Sequence, residues 1–225
     1  MNIDVYSFVG NICSRVNMGD HMCSLKIKQR APYQLKQRAE RQAETRLDII
    51  RAAVELHSTI GPAHTTVSAI AGQAGVQRLT VYRHFADDEA IFAACSAYAF
   101  AEDPPPDPEA WRAIAEPGTR LRIALLQQYA YYQRTRQLLA NVLRDAETMP
   151  VLAAAMFRRR DALAKGAVVL AEGWNATDTL SARFLAAAIG HALDFPTWRS
   201  LAEKQGLTDA ESAEMMVSLV GSLVL

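Results

Sequence analysis

The stretch Thr65-Thr-Val-Ser-Ala-Ile-Ala-Gly-Gln-Ala-Gly-Val-Gln-Arg-Leu-Thr-Val-Tyr-Arg-His-Phe85 decides the fold. Ile70, Ala71 and Ala74 put small and apolar groups on the inner side of a short helix expected over 67–74, with Thr65 and Thr66 as N-cap candidates. Gly75 follows, where a tight turn needs a left-handed backbone. Val76 and Val81 pin a second short helix, expected over 77–85, against the first. The small residue at 71 permits a close crossing, the glycine makes the turn, and branched Val81 fills the crossing. That is the physics of a helix-turn-helix, whose second helix enters the major groove of duplex DNA.

The second helix carries the side chains for that task. Gln77 and Arg78 sit at the N-terminal end, which approaches base edges in this docking geometry. Gln pairs with adenine and Arg with guanine through two hydrogen bonds. Thr80, Tyr82, Arg83 and His84 supply donors of the kinds that contact phosphate oxygens, and the amides behind Thr66 can do the same. The competing reading is a plain αα-hairpin in which Tyr82 and Phe85 are core aromatics.

Upstream, Ile49, Ala53, Leu56 and Ile60 form one stripe of a 3.6-residue period, widened by Leu47, Ile50 and Val54, and Gly61-Pro62 ends that helix. Downstream, Asp87 or Asp88 caps a fourth helix through Ala101. Pro104, Pro105, Pro106 and Pro108 then exclude helix and mark a boundary. The expected organisation is an extension over 1–42, partly disordered and basic, a DNA-binding domain over 43–101, and a body over 109–225. Residues 1–25 show no sustained periodicity and read as disordered or as an over-extended start, with Met18 or Met22 initiating; 26–46 is rich in Lys and Arg. The body reads as helices over 109–116, 119–146, 151–173, 178–204 and 208–224, so the fold class is all-α. Thr208 and Glu211 form a capping box for the last of these.

Composition narrows the function. The chain has 225 residues, 50% of them hydrophobic, ample for a buried core. No apolar run reaches the roughly 18 residues of a membrane span, and the N-terminus is a poor secretory signal. Three cysteines are no disulfide framework and favour a reducing cytoplasm. The formal net charge is zero, yet residues 1–86 hold 11 Lys/Arg against 6 Asp/Glu and residues 87–225 hold 13 against 18. A basic front half on an acidic back half fits a molecule with one polyanion-facing end. Neither a phosphate loop, a nucleophile elbow nor a paired-carboxylate motif is found, and His21-Met-Cys23 lacks further ligands at zinc-like spacing, so neither cofactor nor metal is expected.

The Thr65–Phe85 stretch resembles the DNA-binding domain of TetR-type (TetR/AcrR) transcriptional regulators, and the likeness extends over about 43–100, from the helix ending Ile60-Gly61 to Asp88-Glu-Ala-Ile-Phe92. In the body the likeness rests on its helical character and the phrases Arg120-Leu-Arg122 and Leu143-Arg-Asp145. The resemblance implies a three-helix DNA-binding head on a larger effector-binding body, acting as a homodimeric repressor on a palindromic operator. A small apolar or aromatic effector would release it. By position it implies phosphate contacts from Thr66, Thr80, Tyr82 and His84, and base contacts from Gln77, Arg78 and Leu79. Two residues depart from the family pattern. Leu79 replaces a small residue and would meet a thymine methyl; Asp88 replaces a phosphate-binding lysine, beside Asp87, and should repel phosphate, with the basic 26–46 segment compensating.

For the body, Trp111, Tyr129, Tyr132, Phe157, Trp174 and His191 are the expected effector-pocket residues, the first three forming an aromatic wall; Phe184 and Trp198 are further aromatics, and His191 also reads as a hydrogen-bonded core histidine. The small-sided 186–190 segment and the apolar face Met216, Leu219, Val220 and Leu223 fit either a four-helix dimer seam or an intramolecular contact. Arg158-Arg159-Arg160 reads as a solvated run, and Cys95 as a buried thiol rather than a redox sensor. The alternative to a regulator is an all-helical small-molecule-binding or catalytic protein whose hairpin is only structural.

Overall fold

The computed structural model describes residues 32–223, which contain ten α-helices and no strand. The helices are α1 (Pro32–Thr59), α2 (Val67–Gln73), α3 (Arg78–His84), α4 (Asp88–Glu102), α5 (Pro108–Trp111), α6 (Pro117–Asp145), α7 (Ala153–Ala171), α8 (Thr179–Leu193), α9 (Phe195–Arg199) and α10 (Asp209–Gly221). The chain divides after Ala39, and Glu40–Leu225 is one unit that holds both cores described below. Residues 32–42, expected in the extension, are the first turns of α1; residues 1–31 and their expected disorder lie outside the described residues.

The first core joins Ile49 and Ala53 of α1, Ile70 and Ala71 of α2, Val81 and Phe85 around α3, and Ile91 and Cys95 of α4. Local chemistry sets its elements. Thr66 caps α2, accepting from the Ala69 amide at 3.1 Å. At the other end Gly75 has φ 66°, the Val76 amide donates to Ala71 O at 2.9 Å and the Gly75 amide to Gly72 O at 3.3 Å. These two bonds make a Schellman closure, which turns the chain into α3. A Cβ at Gly75 would meet nothing within 4 Å, so only backbone conformation demands glycine there.

The second core runs from Trp111 to Val220 and is centred on α6, a helix of 29 residues. Pro117-Gly118, expected as a break, begins that helix: Pro117 needs no amide in the first turn and Glu116 accepts from the Gly118 and Thr119 amides. The expected 178–204 helix is three pieces. Asp194 caps α9 and Pro196 lies in its first turn, and a π-helical turn, Ser200–Lys204, follows. Tyr129 and Tyr132 of α6 donate to the Ala192 and Leu193 carbonyls at 2.9 and 2.6 Å, which satisfies the end of α8. Expected 109–116 shrinks to the single turn of α5. The capping box of Thr208 and Glu211 is present at the start of α10.

Arg120, buried in this core, donates to Ile114 O (2.7 Å), Glu172 O (2.8 Å), Ala115 O and Val169 O (both 3.2 Å). A planar guanidinium serves all four carbonyls at once, binding the end of α7 to the start of α6. Arg120→Met should lower stability by about 2–3 kcal/mol in urea titration, because buried carbonyls lose their donors. Gly75→Ala should cost about 1 kcal/mol by the same measurement, through its positive φ alone.

Candidate functional site

Helix α3 shows two different sides. Val81 and Phe85 are buried, while Gln77, Arg78, Leu79, Tyr82 and Arg83 are exposed and Thr80 and His84 half-buried. The eight residues expected to face DNA, Thr66 among them, thus include none that is buried. Leu79 is 65% exposed, an apolar group at the centre of a polar edge. Arg78 donates from Nη2 to the Tyr82 hydroxyl at 3.0 Å and lies 5.5 Å from that ring's centroid. Asp87, the acid beside the departing Asp88, accepts from the Ala90 amide at 2.8 Å and so caps α4. Asp88 lines a depression together with Thr66, Arg78 and Tyr82, which puts a carboxylate beside the expected phosphate contacts.

A polar joint links the end of α1 to the end of α6. Asn141 Nδ2 donates to His57 O (3.1 Å) and Ser58 O (2.7 Å), two of the carbonyls a helix end leaves unpaired. Buried Asp145 accepts from the Ala63 amide at 2.9 Å and from Arg144 Nε at 2.7 Å. The Arg144 hydrogen bond holds its carboxyl below the ordinary range. Gly61, with φ 92°, lies so near that a Cβ would fall on the Arg144 guanidinium and the Asp145 carboxylate. His57 is buried and stacks on Phe92 of α4, centroids 4.9 Å apart and planes 11° from parallel. Desolvation lowers its pKa to about 4, against the opposing pull of Asp145. Cys95 is buried and its thiol is pushed up to about 12 by the same cause, which makes it unreactive.

A cavity of about 170 Å³ lies between α4, residues 105–108, α6 and α7. Its walls include Phe100, Trp111, Tyr131, Tyr132, Met156 and Leu163. Trp111 and Tyr132 of the expected pocket set are among them; the other four are not. Tyr129 is a core residue bonded to α8, Phe157 is 71% exposed, Trp174 packs at the core's margin with Nε1 donating to Leu170 O, and His191 is exposed, hydrogen-bonded to Thr197. The aromatic wall of this cavity is Trp111, Tyr131 and Tyr132. Sequence reading missed Tyr131, Phe100 and Arg159. The signal for two of them was the spacing of lining positions, 128, 131, 135, 138 and 142 on α6 and 155, 159, 162 and 166 on α7. Arg159 corrects the solvated reading of 158–160: its side chain is 16% exposed. No cluster of His, Cys, Asp or Glu among the described residues is placed to hold a metal.

The model for bacterial regulatory proteins of the tetR family matches residues 49–95. Residues 49–95 therefore carry the domain of that family. Solved structures of similar TetR-type shape cover both the domain and the helical body. FadR from Bacillus subtilis, solved with stearoyl-CoA, is 20% identical with a TM-score of 0.59, the match covering 80% of this chain and 99% of that one. NalD from Pseudomonas aeruginosa, the secondary repressor of the MexAB-OprM multidrug efflux pump, is 21% identical at 0.59, covering 83% and 98%. A TetR-like transcriptional regulator from Rhodococcus is 20% identical at 0.56, covering 78% and 93%. Comparison with curated proteins finds no match in sequence.

Within the matched residues 49–95, buried His57 makes the fold sensitive to acid. Its folded pKa lies below the unfolded value of about 6.5, so its contribution is complete above pH 6.5 and is lost as pH falls from there towards 4. Stability should therefore drop by on the order of 1 kcal/mol per pH unit across that window, and His57→Gln should flatten the slope in thermal denaturation at pH 7, 6 and 5.

Proposed function

We propose that this TetR-type protein is a ligand-responsive transcriptional repressor that binds a palindromic operator as a homodimer and is released by a small apolar or aromatic effector held in the body cavity. The observation that carries the reading is the exposed Gln77–His84 edge over buried Val81 and Phe85. Gln77, Arg78 and Leu79 are assigned to base edges, Thr66, Thr80, Tyr82, Arg83 and His84 to phosphates. Arg78 must exchange its Tyr82 contact for guanine on docking. FadR's stearoyl-CoA and NalD's role as a repressor support repression relieved by a ligand.

A single recognition helix reads few base pairs, so a two-fold pair with heads about 34–36 Å apart is needed. The seam is assigned to α8 and α10. Leu180 and Phe184 are each 53% exposed, and Met215, Leu219 and Leu223 are exposed beside buried Met216 and Val220. Thus α10 has one apolar side turned inward and another left for a second copy.

Release runs through two helices that reach both places. Ser96, Ala99 and Phe100 of α4 line the cavity, while Ile91 and Cys95 lie in the head core and Phe92 stacks on His57. Leu138, Leu139 and Val142 of α6 line it too, within about two turns of Asn141 and Asp145. A ligand shifts the heads by the difference in its affinity for the two spacings.

Fluorescence anisotropy on DNA upstream of the gene tests the head. Arg78→Ala should cost about 1–3 kcal/mol and relax specificity at one base pair, and wild-type affinity should fall steeply with salt. Binding unaffected by Arg78→Ala and Tyr82→Phe would leave the hairpin purely structural. Phe184→Glu combined with Leu219→Glu should give monomers in sedimentation velocity and abolish operator binding.

A further inference from the structure

We infer that the cavity is built for an anion: the effector is a small monocarboxylate whose apolar body is about the size of one aromatic ring and whose charge is read by Arg159. This rests on the cavity being the effector site. Its volume of about 170 Å³ is close to the ~150 Å³ of an apolar cavity that holds benzene, far too small for a long acyl chain. The walls are mostly aliphatic and aromatic, yet among the described residues they include two cations, Arg158 and Arg159, and no carboxylate. An apolar ligand alone gives no reason to place two guanidiniums at such a surface.

Arg159 is the better placed of the two. Its side chain is 16% exposed, and its contacts are long: Asp194 Oδ1 at 3.4 and 3.5 Å and the Tyr132 hydroxyl oxygen at 3.3 Å. A satisfied guanidinium–carboxylate pair closes to about 2.7–2.9 Å. Asp194 is committed elsewhere, since the same oxygen accepts the Phe195 amide at 3.0 Å and begins α9. Tyr132 donates its own proton to Leu193 O and only accepts from Arg159, at 3.3 Å, so it offers the guanidinium no charge. A fork of five N–H donors, poorly used and facing a largely apolar space, matches a carboxylate through two parallel bonds. Trp111, Tyr131 and Tyr132 give the ring its walls.

Isothermal titration calorimetry on the full chain with phenylacetate, its neutral isostere phenylacetamide and stearoyl-CoA tests this. Phenylacetate should bind at least about tenfold more tightly than the amide, as a charged hydrogen-bonded pair requires. Arg159→Gln should erase that preference while leaving amide binding unchanged; where this variant does not fold, Arg159→Lys should weaken the acid severalfold and spare the amide. Equal or tighter binding of the amide overturns the anion and leaves the effector cavity standing. Stearoyl-CoA binding without phenylacetate binding overturns the size. An acid preference that survives Arg159→Gln overturns the role of Arg159, and binding of none of the three removes the inference together with the effector site beneath it.

Discussion

Asp145 and Asn141 stand at the end of α6 and complete the hydrogen bonding of backbone that belongs to the head. The carbonyls of His57 and Ser58 are left over by the last turn of α1, and the Ala63 amide by the turn after it. A buried carboxylate is tolerable only with strong donors, and Asp145 has Arg144 and an amide. The relation runs one way more than the other: the α6 acid keeps Arg144, whereas the His57 and Ser58 carbonyls are served by Asn141. Since α6 also lines the cavity and forms the centre of the body core, one helix takes part in the packing, in the cavity wall and in the joint with the head.

The acids at 87 and 88 show how two demands meet at one place. The start of α4 needs a side chain to take its free amides, and Asp87 does so. Negative charge there also suits the positive end of the helix. The same charge is unwelcome beside DNA phosphates. On the proposed reading, the cap that stabilises α4 opposes local affinity for the DNA backbone, and Arg78 and Arg83 are the nearby cations left to offset it.

Much of the head was legible because its determinants are local. Thr66 caps, Gly75 turns and Val81 anchors within one short window, and the expected helix limits shift by a single residue. The first half of α1 was not legible, for Tyr33 and Leu35 are exposed and no apolar stripe marks those turns. In the body the breaks at Met149-Pro150, Gly173 and Gly206 were readable, but Pro117 and Pro196 act as helix starts, and the capping Glu116 and Asp194 were their overlooked signals. The cavity was hardest. Tyr129, Tyr131 and Tyr132 lie within one turn of α6, and which of them faces empty space depends on where α7 and α8 pack, a long-range fact that no local pattern encodes.

Gly61 adds a constraint on descent and on engineering. Its missing side chain is what lets Arg144 and Asp145 come up against the chain just after α1. Readers and sensors of this architecture are therefore not freely interchangeable parts. A chimera that grafts a foreign head onto this body, or the reverse, must move the glycine and its two distant polar partners as a single inherited set, although more than eighty positions of sequence separate them.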